Sequence, residues 1–97
     1  MATLDEIKKI IDEHRLELRE KYKISEIGVF GSYVRGEQKE KSDVDILVVF
    51  EEPISLLDLV GAENYISDLV GTKVDLLPKK DVRHELKEII LNEVVYI

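Results

Sequence analysis

The segment that most limits the possible fold is DVDILVVF, residues 43–50, which becomes continuously apolar after its third residue. A continuous apolar run of this length is typical of a strand covered on both faces, whereas a half-exposed strand alternates polar and apolar residues. Pro53 then ends the run, because proline cannot donate to a sheet ladder. We therefore expect residues 43–50 to form a central strand that is covered on both sides.

Other segments of the chain supply the neighbours that such a strand needs. Two β-rich runs lie at residues 24–30, ended by Gly31, and at residues 73–77, ended by Pro78. Apolar residues at helical spacing predict three helices. The first begins in a capping box of Thr3 and Glu6 and runs to about Tyr22, the second spans residues 55–70 before Gly71, and the last is capped by Asp81. Residues 93–97, EVVYI, are expected to be a short strand or an extended tail. This order predicts a single α/β domain over residues 1–97.

The composition excludes several classes of protein. With 44% hydrophobic and 36% charged residues the chain is expected to fold, and it contains no apolar stretch of the roughly 18 residues that span a membrane. The absence of cysteine excludes disulfides, thiolate zinc sites and cysteine nucleophiles. A net charge of −7 opposes broad contact with a phosphate backbone, so nucleic acid is not expected as the main partner. Because the first residues, MATLDEIKK, lack the basic-then-apolar order of a secretion signal, we expect a cytoplasmic protein without membrane contact.

Two aspartates open the predicted central strand. Side chains alternate along a strand, so Asp43 and Asp45 are expected to share a face with β-carbons roughly 6–7 Å apart. Two carboxylates at this spacing can share a pair of divalent cations, and Mg²⁺ suits such a site because it prefers oxygen ligands together with substrate phosphates. Without metal, the two charges would repel each other.

A third aspartate lies in the next predicted strand, where Lys73, Asp75 and Leu77 share one face. If this strand lies beside the first in matching register, Asp75 joins Asp43 and Asp45. It could then complete the shell of one metal ion and accept the proton of an attacking hydroxyl.

A glycine and a serine precede these aspartates by ten residues. Gly31 allows close approach of the backbone to a ligand, and Ser32 lies at a predicted strand-to-helix corner, where backbone N–H groups and a hydroxyl bind phosphate. Arg35, one turn further on, can reach the same phosphates.

An Asp-x-Asp pair alone is often only a solvated strand end, and Gly-Ser alone is weaker still. Their combination with a third strand-borne aspartate indicates nucleotide chemistry. Other nucleotide and metal motifs do not match, since Glu37 and Gln38 stand where a Walker P-loop needs Lys and Ser or Thr. The sequence also contains no dinucleotide-binding glycine motif after a strand, and no further EF-hand oxygen ligands follow Asp45.

These motifs together resemble the DNA polymerase beta nucleotidyltransferase superfamily. The pattern is Gly31-Ser32, ten residues, then Asp43-x-Asp45, with Arg35, Gly36 and Ser42 inside it and Val74-Asp75-Leu76 downstream. Within that superfamily the chain is most similar to the minimal nucleotidyltransferases (MNT), and the likeness spans nearly its whole length. One departure is Tyr33-Val34, where the family often has Arg-Ala, which removes one possible phosphate-binding arginine.

The resemblance implies a fold, a site and a reaction. The fold would be a small mixed β-sheet flanked by helices. Two Mg²⁺ ions, bound by Asp43, Asp45 and Asp75, would hold the triphosphate of ATP, with Gly31, Ser32, Arg35 and Ser42 contacting the nucleotide. The acceptor would attack the α-phosphorus and release pyrophosphate. The partner would be a HEPN-type ribonuclease toxin, neutralised by transfer of AMP to a tyrosine, so this chain would be the antitoxin.

Two other functions stay open. A binding module could neutralise its partner in a stoichiometric complex without turnover, but three converging carboxylates would then serve no purpose. Assembly of the chain as a homo- or hetero-oligomer also stays open. A small-molecule nucleotidyltransferase would share the metal site, but it would need a pocket that a second domain or a dimer usually supplies.

Overall fold

A computed structural model describes residues 2–97 of the chain. The elements follow the expected order, and a four-residue helix begins at the predicted corner after the first strand. They are α1 (Leu4–Glu13), α2 (Arg15–Tyr22), β1 (Ile24–Phe30), α3 (Ser32–Arg35), β2 (Val44–Phe50), α4 (Leu56–Val70), β3 (Val74–Pro78), a 3-10 turn (Lys79–Asp81), α5 (His84–Glu93) and β4 (Val95–Tyr96). None of the helices within residues 2–97 has the length and apolar character needed to cross a membrane.

The four strands form one mixed sheet in the order β3-β2-β1-β4. β1 runs antiparallel to both β2 and β4, whereas β2 and β3 are parallel and are joined by the crossover helix α4. The EVVYI segment contributes the short edge strand β4. The α/β class with a small mixed sheet is thereby confirmed, and β2 lies inside the sheet as the apolar run predicted.

One face of the sheet carries the hydrophobic core. Val44, Ile46 and Val48 of β2 are fully buried there. They belong to one cluster with side chains of α1, α2 and α4, which cover this face, namely Ile7, Ile11, Leu18, Ala62, Ile66 and Val70. The opposite face of β2 is less covered, since Leu47 is buried but Asp45 and Val49 are only half-buried. The expected cover on both sides is therefore only partial, because the second face presents a carboxylate that burial would penalise.

Side-chain caps define where the helices begin and end. Thr3 Oγ1 accepts a hydrogen bond of 3.2 Å from the backbone N–H of Glu6, and the Thr3 hydroxyl donates to the Glu6 carboxylate. The predicted start of the first helix is thereby confirmed. Ser55 caps α4 through the N–H of Asp58 at 3.1 Å, and Gly71 ends that helix with a positive φ of 74°.

The first helix is not continuous to Tyr22, as the apolar spacing predicted. It breaks at His14, whose backbone leaves the helical region with φ −110° and ψ 14°. The Nδ1 atom of His14 lies 2.8 Å from the carbonyl oxygen of Ile10, so the side chain interacts with the end of the helix that it terminates. Splitting the segment lets Leu18 on α2 reach the same core as Ile11 on α1.

The predicted cap of the last helix is also wrong. Asp81 lies in the 3-10 turn, where the N–H of Val82 donates to the carbonyl of Lys79 at 3.3 Å. Val82 and Arg83 are extended, and α5 begins only at His84. The chain therefore uses Asp81 to complete the turn after β3 and not to start a helix.

Candidate functional site

Three predicted motifs meet at one end of the sheet. Asp45 on β2 is paired in register with Asp75 on the parallel strand β3, and on its other side with Phe30, the last residue of β1. Gly31 follows Phe30 directly and Asp43 precedes β2 by one residue. The sheet register therefore brings the glycine corner and the aspartates together, as the sequence predicted.

The three carboxylates influence one another. Partial burial, followed by the charges of Asp75 and then Asp43, raises the pKa of Asp45 above its usual value. The pKa of Asp75 is also raised, first by burial and then by the charge of Asp43, while Lys73 opposes this shift. Lys73 Nζ lies 3.7 Å from Asp43 Oδ2 and partly neutralises the group. The site thus concentrates negative charge that the protein itself does not balance.

Gly31 is required by its contact with Asp45. Its backbone has φ 81° and ψ −153°, a conformation that residues with a side chain rarely adopt. A β-carbon built at this position would overlap Asp45 Oδ2. The absence of a side chain at Gly31 therefore lets the aspartate lie against the start of α3.

The predicted phosphate-binding residues have different surroundings. Arg35 is held between two carboxylates, with its Nε 2.5 Å from Glu37 Oε1 and its Nη1 2.9 and 3.0 Å from the two oxygens of Glu93. Ser32 is the first residue of α3, next to Gly31. Ser42 accepts a hydrogen bond of 2.8 Å from the N–H of Lys39, so its hydroxyl stabilises the loop before β2 in this structure.

Tyr33 explains the departure at the second position of α3. Its side chain is almost fully buried in the core cluster, where it anchors the short helix between β1 and β2. An arginine at this position would place a charge in the core, which is strongly unfavourable. Arg35 is therefore the cation that α3 itself presents at this corner.

Glu93 is the site residue that sequence reasoning missed. It is the last residue of α5, and its carboxylate accepts a short hydrogen bond from the backbone N–H of Gly31 in addition to those from Arg35. It lies 62 positions from Gly31 in the chain. No spacing rule links a helix-end glutamate to a distant glycine, so only the tertiary structure reveals this contact.

The donor set suits a hard divalent cation, because Asp43, Asp45 and Asp75 offer only carboxylate oxygens and their repulsion would be relieved by positive charge. Within the described residues 2–97, no three His, Cys, Asp or Glu side chains are arranged so that they could hold a metal ion without moving. Ion binding would therefore require rotation of these side chains together with oxygens from a ligand.

A cavity of about 490 Å³ lies elsewhere, at the other end of β2. Its lining includes Phe50, Pro53, Leu59 and Pro78, and none of the described residues predicted for the site lines it. The acidic site lies instead at the opposite end of β2, where the strand begins.

Comparison with known proteins gives a family match and several similar relatives. The family model described as a nucleotidyltransferase domain matches residues 11–97. A relative from Thermococcus cleftensis named protein adenylyltransferase MntA is 53% identical, over all of this chain and 98% of its own length. A relative from Methanocaldococcus jannaschii, named as a candidate protein adenylyltransferase, is 52% identical over the full length of both chains.

Solved structures show the same fold. One described as a candidate minimal nucleotidyltransferase has a TM-score of 0.74 and 32% identity, covering 92% of this chain and 93% of its own. A complex of a tri-AMPylated Shewanella oneidensis HEPN toxin with an MNT antitoxin has a TM-score of 0.66 over 93% of this chain and 70% of the other. At 16% identity, that second likeness shows the fold alone.

Proposed function

Because this chain belongs to the nucleotidyltransferase domain family, we propose that it is a Mg²⁺-dependent protein adenylyltransferase that acts as the antitoxin of a HEPN-type toxin. The observation that carries the proposal is the register that sets Asp45 opposite Asp75, with Asp43 and the Gly31 corner beside them. The relative named protein adenylyltransferase, at 53% identity over the whole chain, supports protein as the acceptor. The HEPN toxin follows from the resemblance to minimal nucleotidyltransferases.

In the proposed reaction, AMP is transferred from ATP to a hydroxyl of the partner, with tyrosine as the expected acceptor. The hydroxyl oxygen forms a bond to the α-phosphorus, the bond from that phosphorus to the bridging oxygen breaks, and pyrophosphate leaves. Asp43, Asp45 and Asp75 would hold two Mg²⁺ ions, which neutralise charge on the attacking and leaving oxygens when bound.

Each proposed residue has a role that its position supports. Asp75 would accept the hydroxyl proton, because its carboxylate lies beside Asp45 on the neighbouring strand. Gly31 and Ser32 would approach the phosphates from the start of α3, with Arg35 contributing charge and Ser42 contributing from the loop before β2. The half-exposed position of Asp45 leaves the corner accessible to a nucleotide.

The test is transfer of label from α-labelled ATP to the partner protein encoded beside this chain. We expect label on the partner with Mg²⁺ and its loss, by roughly 100-fold or more, in Asp45→Ala. Asp68→Ala, at an exposed aspartate of α4, is the matched control and should retain transfer. Labelling that persists in Asp45→Ala would contradict the proposal.

Two further measurements distinguish the proposed function from the two alternatives. If the Asp43→Ala, Asp45→Ala double variant still neutralises the toxin in cells, the mechanism is stoichiometric binding. If label appears on a small molecule of the extract and never on protein, the acceptor class is wrong.

A further inference from the structure

The carboxylate of Glu93 accepts hydrogen bonds from the same groups that are proposed to bind the phosphates of the nucleotide. Its Oε1 accepts from the Gly31 backbone N–H and from Arg35 Nη1 at 2.9 Å, and its Oε2 accepts from the same nitrogen at 3.0 Å. The Glu93 side chain is only 19% exposed, whereas that of Arg35 is 50% exposed. An anion of the protein itself therefore occupies this corner.

A backbone N–H group carries one hydrogen, so a phosphate oxygen and a carboxylate oxygen cannot both accept it with good geometry. Two anions at the same pair of donors would also repel each other. We propose that Glu93 is an internal competitor of the nucleotide, and that binding of a triphosphate at Gly31 and Arg35 displaces its carboxylate. This inference rests on the proposed function, because it assigns those donors to phosphate.

The structure makes such displacement easy. Throughout the described chain, α5 is the one long helix in which no residue is buried, and Leu86 and Ile89 are 44% and 62% exposed. A ten-residue helix has little stability of its own, so contacts at its ends matter. Its last turn adds only the half-buried side chains of Ile90 and Leu91 to the packing, and Glu93 pairs it with the body of the protein.

The segment after Glu93 would respond to its release. β4 follows immediately and is only two residues long, paired through Val95 with Val29 and through Tyr96 with Gly28. The N–H of Ile97 adds one bond of 2.9 Å to the carbonyl of Ile27. Triphosphate binding should therefore loosen the C-terminal segment, defined here as residues 90–97.

The first test compares the affinity for ATP in the presence of Mg²⁺ between the unmodified protein and Glu93→Gln. Glutamine keeps the shape and one acceptor but removes the charge, so we expect ATP to bind roughly 3- to 10-fold more tightly. Glu88→Gln, an exposed glutamate of the same helix, is the matched control and should leave the affinity unchanged. Equal or weaker binding by folded Glu93→Gln overturns the inference, since it would make Glu93 a positioning residue.

The second test needs no variant. Hydrogen exchange of residues 90–97 in the unmodified protein should become faster when ATP and Mg²⁺ are added at saturation, and unchanged or slower exchange overturns the inference. The outcomes also separate this inference from the proposed function. Binding of ATP without the effect at Glu93 removes only the inference, whereas binding by neither protein removes both.

Discussion

Asp45 and Asp75 face each other across the parallel pair of β2 and β3, and the pKa of each is raised above that of an ordinary aspartate. Strand neighbours of like charge are unfavourable in a sheet. The protein therefore maintains at its site an arrangement that lowers stability until a cation or a proton neutralises it.

Neutralising one of these carboxylates should stabilise the protein when no metal is present. We expect Asp45→Asn to raise the melting temperature in EDTA at pH 7, because it removes a half-buried charge that interacts unfavourably with Asp75 and Asp43. Differential scanning calorimetry checks this, with Asp81→Asn on the exposed 3-10 turn as the control. Adding Mg²⁺ should reduce the difference. A lower melting temperature for Asp45→Asn in EDTA would contradict the electrostatic interpretation.

The same pair predicts the direction of a pH dependence. Because the pKa values of Asp45 and Asp75 are raised in the folded state, that state binds protons more readily than the unfolded chain. Stability of the metal-free protein should therefore fall as the pH rises from the ordinary aspartate value of 3.8 through the folded pKa values, and recover on acidification through them.

The measurement is the difference in unfolding free energy between the unmodified protein and Asp45→Asn, Asp75→Asn as a function of pH in EDTA. Subtracting the double variant removes the contribution of all other groups. The difference should be small near pH 4 and should favour the double variant increasingly above it. A difference that does not change with pH would show that the two carboxylates titrate normally.

Gly31→Ala should damage both the fold and the site. Alanine at φ 81° and ψ −153° is strained, and its β-carbon would overlap Asp45 Oδ2. We expect a loss of stability on the order of 2–4 kcal/mol together with loss of nucleotidyl transfer. Chemical denaturation and the transfer assay measure the two effects.

Gly36→Ala is the matched control for that variant. Gly36 also has a positive φ, 71°, but lies in the ordinary left-handed region and has nothing within 4 Å of a built β-carbon. It should lose only about 1 kcal/mol and retain activity. Equal effects at Gly31 and Gly36 would mean that the contact with Asp45 is unimportant.

The parts of the site that sequence predicts are those governed by local periodicity. Asp43, Asp45 and Asp75 could be assigned to one face because side chains alternate along strands, and the parallel register then brought Asp75 beside Asp45. The role of Glu93 could not be predicted from sequence, because its position depends on how α5 packs against the rest of the fold. The break at His14 could not be predicted from sequence either. The apolar spacing continues through it, whereas core packing favours two shorter helices.

The strand that carries Asp75 depends on two side chains of α4. β3 is an edge strand, and the backbone N–H groups on either side of Asp75 are satisfied by this helix. Val74 N–H donates to Ser67 Oγ at 2.9 Å, and Leu76 N–H donates to Glu63 Oε2 at 2.8 Å. These bonds fix the backbone of the proposed base without contacting the substrate.

Glu63→Ala should therefore weaken catalysis as well as stability. Loss of the bond to Leu76 is expected to lower the unfolding free energy by about 1–2 kcal/mol, and looser positioning of Asp75 should reduce kcat roughly 10-fold. Glu63→Gln keeps an acceptor oxygen and should restore most of both. Hydrogen exchange at the Leu76 amide gives the direct readout, rising in Glu63→Ala and near normal in Glu63→Gln. If both variants exchange at the rate of the unmodified protein, Glu63 does not hold the strand, because an amide without its acceptor would be expected to exchange faster.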